Sequence, residues 1–149
     1  MEEIVRKRDV PPLPEGIRVR YLTEGDSDRR ACRGEADIRE LVRWFRAGEC
    51  SSLELAADEY NEENYLLLES SPDRIFLQIW HGETGTAWAC FDPDYLDSDE
   101  EAPIEASGGQ SVFPMKCTMK DRELAAACVE WYAHTLEPYP GMDWLKDKW

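Results

Sequence analysis

His81-Gly82-Glu83 places side by side the two residue types that a zinc-activated water needs, an imidazole ligand and a non-ligating carboxylate that moves protons. The other half of that signature, P-C-x-x-C, is missing; Pro114-Met115-Lys116-Cys117 supplies one Cys at a different spacing. His81 also opens a Gly-containing turn, so a structural turn outweighs a metal site. Asp97, Asp99 and Glu101 alternate as calcium ligands do, but no Gly follows where a calcium loop requires it and Pro103 interrupts the stretch. His134 falls near the end of an expected helix, where a cation is favoured for structural reasons. Gly108-Gly109 reads as a loop pivot, and there is no G-x-S-x-G, P-loop or G-x-G-x-x-G. The expectation is a chain with no catalytic residue, no cofactor and no metal.

Charge is the stronger signal. Of 149 residues, 32 are Asp or Glu and 17 are Lys or Arg, a formal net charge of −15. The first 35 residues balance at eight of each sign, so the whole excess lies beyond them. No base stands between Arg46 and Arg74, a stretch that holds Glu49, Glu54, Asp58, Glu59, Glu62, Glu63 and Glu69. None stands between Asp92 and Glu105, which encloses Asp94, Asp97, Asp99, Glu100 and Glu101. Such a field repels nucleic acid and anionic membranes and attracts basic partners. Carboxylates on a rigid scaffold pair with the Lys and Arg of a nucleic-acid-binding cleft and steer association. Tyr60, Tyr65, Trp88 and Tyr95, beside or between these acids, are the candidate aromatic anchors. The expected partner-binding set is Asp58, Glu59, Tyr60, Glu62, Glu63, Trp88, Asp92, Asp94, Tyr95, Asp97, Asp99, Glu100 and Glu101.

These residues must be positioned by a fold of ordinary size, one domain with enough chain to bury a core. The central stretch is Asn64 to Phe91. It reads as a meander of three short strands, Tyr65–Leu68, Ile75–Trp80 and Ala87–Phe91, parted by Ser-Ser-Pro-Asp and His-Gly-Glu-Thr-Gly turns. Ile38, Leu41, Val42 and Phe45 fall at i, i+3, i+4 and i+7, which predicts a helix over Ala36–Ala47 stopped by Gly48. A second helix runs from an N-cap at Asp121 to near Leu136, with Pro138, Pro140 and Gly141 ending it. Ile17–Leu22 alternates like a half-exposed strand, Ser111–Met119 reads as a strand at an edge or bulge because of Pro114, and Met142–Leu145 reads as a last short strand or docking segment. Leu53, Leu55, Ala56 and Ala57 fit a helical or a strand segment. Residues 1–16, charged and then Pro-rich, read as an N-terminal tail ahead of a single domain, 17–149. The fold class is α+β, a largely antiparallel sheet with two main helices packed on one face.

The five cysteines are odd in number and widely spaced, the longest apolar run is six residues (Leu124 to Val129), and the N-terminus lacks an apolar signal core. A reduced, cytoplasmic protein with free thiols is expected.

The order of features in the second half forms a further pattern. A strand pair ends in an aromatic, followed by a polar Gly-containing connection and Phe113-Pro114. An Ala-rich amphipathic helix then leads to Pro140-Gly141-Met142-Asp143-Trp144. With the helix Ala36–Ala47 ahead of the meander, the chain resembles the Imm1 family of bacterial immunity proteins over roughly residues 17–144. The resemblance implies neutralisation of a cognate toxin domain, a nucleic-acid deaminase or nuclease, by stoichiometric occlusion in a heterodimer, with no catalysis by this chain. Two other classes remain open: a small enzyme using the His81/Glu83 turn, and an acidic adaptor or DNA mimic that binds a host protein.

Overall fold

The computed structural model describes residues 2–25, 27–58, 63–104 and 112–148. Their strands form one antiparallel sheet: β1 (Glu2–Val5), β2 (Tyr21–Glu24), β3 (Arg30–Ala31), β4 (Ser52–Ala56), β5 (Asn64–Ser70), β6 (Ile75–His81), β7 (Thr86–Ala89), β8 (Thr118–Met119) and β9 (Trp144–Lys148). The order across the sheet is β1-β9-β7-β6-β5-β4-β2-β3, and β8 pairs with the start of β6. Two helices, α1 (Glu35–Arg46) and α2 (Arg122–Thr135), pack on one face. This is the α+β class the sequence predicts.

The meander forms because its connections are tight and its strands alternate. Leu66 and Leu68 of β5 lie opposite Ile79 and Leu77 of β6, and all four are fully buried. Leu53 and Leu55 of β4 extend this apolar surface. Ile38, Leu41, Val42 and Phe45 of α1 cover it, together with Ala125, Cys128, Val129 and Tyr132 of α2. The α1 stripe is the i, i+3, i+4, i+7 set, so periodicity alone dictates which side of that helix is buried.

The helix ends are closed by side chains. Asp121 accepts a hydrogen bond from the Leu124 N–H, capping α2. The Arg122 guanidinium donates to the Phe45 carbonyl at 2.9 Å and lies over the Phe45 ring, so the start of α2 closes the end of α1. Gly48 follows α1 at φ +76, the left-handed geometry that a helix stop requires. Asp37, buried in α1, accepts hydrogen bonds from the Arg33 backbone and guanidinium, which hold its carboxyl below the usual range.

Three stretches differ from expectation. The strand predicted at Ile17–Leu22 starts only at Tyr21, because the Arg18 and Val19 N–H groups donate to the Ala133 carbonyl of α2. Ser111–Met119 yields a two-residue strand preceded by a single 3-10 turn (Met115–Cys117), with Pro114 bridged to Glu101; Ser111 lies outside the described residues. The N-terminal stretch is tied into the domain. β1 pairs with β9 along its whole length, and the Arg8 N–H donates to the Pro140 carbonyl. Of the ambiguous Leu53–Ala57 segment, Leu53 to Ala56 lie in the strand β4, and Ala57 follows it.

The five cysteines are free thiols. Cys90, fully buried beneath β6, is pushed up to about 12 by desolvation.

Truncation at the centre of the meander tests this core. Leu77→Ala is expected to cost about 2–5 kcal/mol in urea denaturation. Val112→Ala, at a position 59% exposed, is expected to stay within about 0.5 kcal/mol.

Candidate functional site

The two faces of the sheet differ in what covers them. Antiparallel partners point to the same face, so the pairing register assigns every side chain. With Leu66, Leu68, Leu77 and Ile79 beneath the helices, the residues between them face the other way. One cross-strand row on that second face runs Tyr21, Ala56, Tyr65, Trp80, Ala87. The next row runs Thr23, Glu54, Leu67, Gln78, Ala89. No helix among the described residues packs on this face.

One end of it is covered by the acidic connection. Phe76 stacks on Phe113 with ring centroids 4.4 Å apart, and Ile104 completes this small second core. Backbone bonds from Ala102 to Phe113 and from Met115 to Glu100 zip the two sides of the connection together. Its start is fastened by a buried cation. Arg74, 6% exposed, donates to Asp92 at 2.7 Å and to the Thr118 hydroxyl at 3.3 Å, and its guanidinium lies 5.0 Å from the centre of the Tyr95 ring. Burial alone would raise the Asp92 carboxyl, but the Arg74 hydrogen bond, the Asp94 N–H and the charges of Arg74 and Lys120 together outweigh it and hold the group below its usual range.

The predicted contact residues therefore divide. Asp92 and Tyr95 have an internal role, clasping Arg74. Asp94, Asp97, Asp99, Glu100 and Glu101 are exposed and make no ion pair within 4.0 Å among the described residues. Asp58, half-buried, and Glu63, exposed, flank the β4–β5 connection; the Asp58 carboxylate accepts from the Glu63 N–H. Glu59, Tyr60, Glu62 and the Gly108-Gly109 pivot lie outside the described residues. The β4–β5 connection sits at the end of β6, and the clasped connection sits at its beginning. The seven-residue β6 thus sets the two acidic groups about 20 Å apart.

Trp88 is elsewhere. It pairs with Ile79 and so lies on the helix side, edge-on to His81 and under Lys146. With Trp131, Tyr139, Trp144, Arg6 and Arg8 it lines a cavity of about 410 Å³. Gly141 stands beside it where a Cβ would come within 2.7 Å of the Tyr139 ring. His81 donates through Nε2 to the Leu136 carbonyl at 2.8 Å, satisfying the end of α2 where Leu136 turns left-handed at φ 63. Glu83 is exposed in the following turn. Among the described residues no group of three or more His, Cys, Asp or Glu is set to hold a metal ion, and no helix is long and apolar enough to cross a membrane.

Sequence reasoning missed Tyr21 and Trp80; Tyr65 was a candidate anchor and Glu54 one of the base-free acids, but neither entered the expected partner-binding set. Alternation in β6 carried the signal, since Trp80 is out of phase with Leu77 and Ile79. Comparison with protein-family models, curated proteins and solved structures gave no match.

The Arg74 clasp generates a stability and a pH prediction. Arg74→Met leaves Asp92 without its cation. The expected cost is at the lower end of about 3–5 kcal/mol, because the Asp92 side chain keeps 15% of its surface. A lowered carboxyl stabilises the fold above its unfolded value of 3.8 and stops doing so as pH falls through the lower folded value. Acid titration of stability should show that portion of the loss in the wild type and lack it in Asp92→Asn. Identical acid profiles would refute the assignment.

Proposed function

We propose that the chain is an immunity protein, a stoichiometric inhibitor that binds a basic, nucleic-acid-acting toxin domain inside the cell and blocks its substrate groove without catalysis. One observation supports this reading above the others. The acidic connection is built onto the sheet through Arg74, Phe76 and Phe113, yet its outer carboxylates Asp94, Asp97, Asp99, Glu100 and Glu101 have no cation within the described chain. A surface that only needed solubility would intersperse charges of both signs. Here like charges are held together on a fixed support, which raises the local potential and speeds encounter with a positive groove. The layout, a helix, a meander, a second helix and a closing Asp-Trp, resembles that of Imm1 proteins, which supports the same class.

The opposed acidic ends fit occlusion better than a single point contact. A nucleic-acid-cleaving or deaminating domain lines its groove with Lys and Arg for phosphates. Carboxylates set about 20 Å apart, spanned by a rigid sheet, can engage both banks of such a groove.

The test is affinity purification of the tagged chain from its native host with neighbouring genes expressed, followed by association kinetics. A one-to-one complex with a basic nuclease or deaminase domain is expected, with loss of that domain's activity on binding. The Asp97→Lys, Asp99→Lys, Glu100→Lys triple variant should associate at least about tenfold more slowly at low salt, with little change in dissociation. Recovery of the chain alone, or unchanged association by the variant, would overturn the reading.

A further inference from the structure

We propose that the helix-free face of the sheet, centred on Tyr65 and Trp80, is the surface on which the basic protein partner seats. This rests on the inhibitor reading above and moves the contact from the tips of the acidic loops to the sheet between them.

An antiparallel sheet can leave one face to water, but that face then alternates to polar residues. Here the row behind does so, with Thr23, Glu54 and Gln78 beside Leu67 and Ala89, but the outermost row from β2 to β7, Tyr21, Ala56, Tyr65, Trp80, Ala87, does not. The alanines form the floor: Ala56 is 2% exposed between two tyrosines, and Ala87 is 5% exposed beside Trp80. Tyr21, Tyr65 and Trp80 stand half-buried above them. Large rings on small residues give flat, stiff contact area at low entropic cost, the character of binding hot spots. The second core of Phe76, Ile104 and Phe113 covers the end of the face at which β6 begins and reaches Leu67 in the row behind, but includes no residue of the outermost row.

Charge identifies the occupant. Glu54 sits in the middle of the face, next to Leu67 in register and diagonal to Tyr65. Its cation is Arg29 at 3.9 Å, a distance at the limit of an ion pair. Burial raises the Glu54 carboxyl, and the Glu54 charge adds to the burial that raises the Tyr65 phenol. A Lys or Arg brought in by a partner would meet an acid already held half-buried behind the aromatic row. Asp58 and Glu63 stand at one end, and Glu100 and Glu101 at the other. A second copy of this chain would bring like ends together, each carrying −15, and nucleic acid would meet the same repulsion. The complementary occupant is a folded protein face with an apolar centre ringed by Lys and Arg. Five strands make the patch about 20 Å across, and it is longest along the seven-residue β5 and β6, which lead to the two acidic ends.

The experiment is site-specific photocrosslinking in the native host, using full-length chain with p-benzoylphenylalanine at Tyr65, at Asp99 or at Glu40 on the outer side of α1. The expected result is an adduct from Tyr65, absent from Glu40, with a protein whose crosslinked domain is basic. That protein, purified, should bind Trp80→Ala at least about 30-fold more weakly than wild type. Tyr21→Ser, at the margin of the sheet, is the second variant, expected to weaken binding while keeping the wild-type circular dichroism and melting temperature. Adducts from Asp99 but not Tyr65, or full affinity in both variants, would overturn the sheet-face proposal and leave the inhibitor reading standing. Adducts only with a second copy of the chain would replace it with self-association. No adduct from any position would overturn both.

Discussion

The pairing of β5 with β6 is the constraint on which the molecule depends. Seven residues of each strand lie in register, from Asn64 opposite His81 to Ser70 opposite Ile75. A slip of one residue would turn Leu66, Leu68, Leu77 and Ile79 away from the helices and send Tyr65, Gln78 and Trp80 into the core. Burying four large aliphatic side chains, each worth about 1.5–3 kcal/mol, makes that slip far too costly. Both faces follow from the same choice. The register that builds the core also aligns the aromatic row on the other side.

Charge is handled in two ways. Arg74 and Asp92 are both withdrawn from water and face each other at 2.7 Å, with Thr118 and Tyr95 completing the surroundings. A pair of this kind contributes little net stability, but breaking it is costly, so it fixes where the connection leaves the sheet. The carboxylates further along the connection stay in water, where their mutual repulsion is screened at physiological salt. The inward pair gives the outward ones a fixed place, which is what steering requires.

Local features were the most legible in the sequence. The α1 stripe, the Asp121 cap, the Gly48 stop and the meander each depend on neighbours within a few residues, and the structure contains all of them. Long-range pairing was not legible. Nothing in Glu2–Val5 points to Trp144–Lys148 as its partner, and Ile17–Val19 alternates like a strand although part of its backbone bonds to the end of α2. The candidate contact residues were separable only once register was known. Trp88 and Trp80 look alike as strand aromatics, yet the register pairs Trp88 with Ile79 and Trp80 with Tyr65 and so places them on opposite faces. Asp92 and Asp94 look alike as loop acids, yet Arg74 clasps only the first. Tyr65 was legible as a candidate anchor but its face was not, because it heads a run of three leucines where alternation cannot be seen from the residues alone.

The β1–β9 ladder joins the first and last described strands, with Glu2 opposite Asp147 and Val5 opposite Trp144. During synthesis β1 is made ahead of the other described elements but has no partner among them until β9 has followed it, more than a hundred residues later. Loop closure over such a distance is slow compared with forming the β5–β6 hairpin. The meander can therefore assemble while the chain is still growing, whereas the flank carrying Arg6, Arg8 and the Trp88–Trp144 cavity closes only at the end. Assembly order thus divides the molecule along a different line from its two faces: an early centre and a late margin.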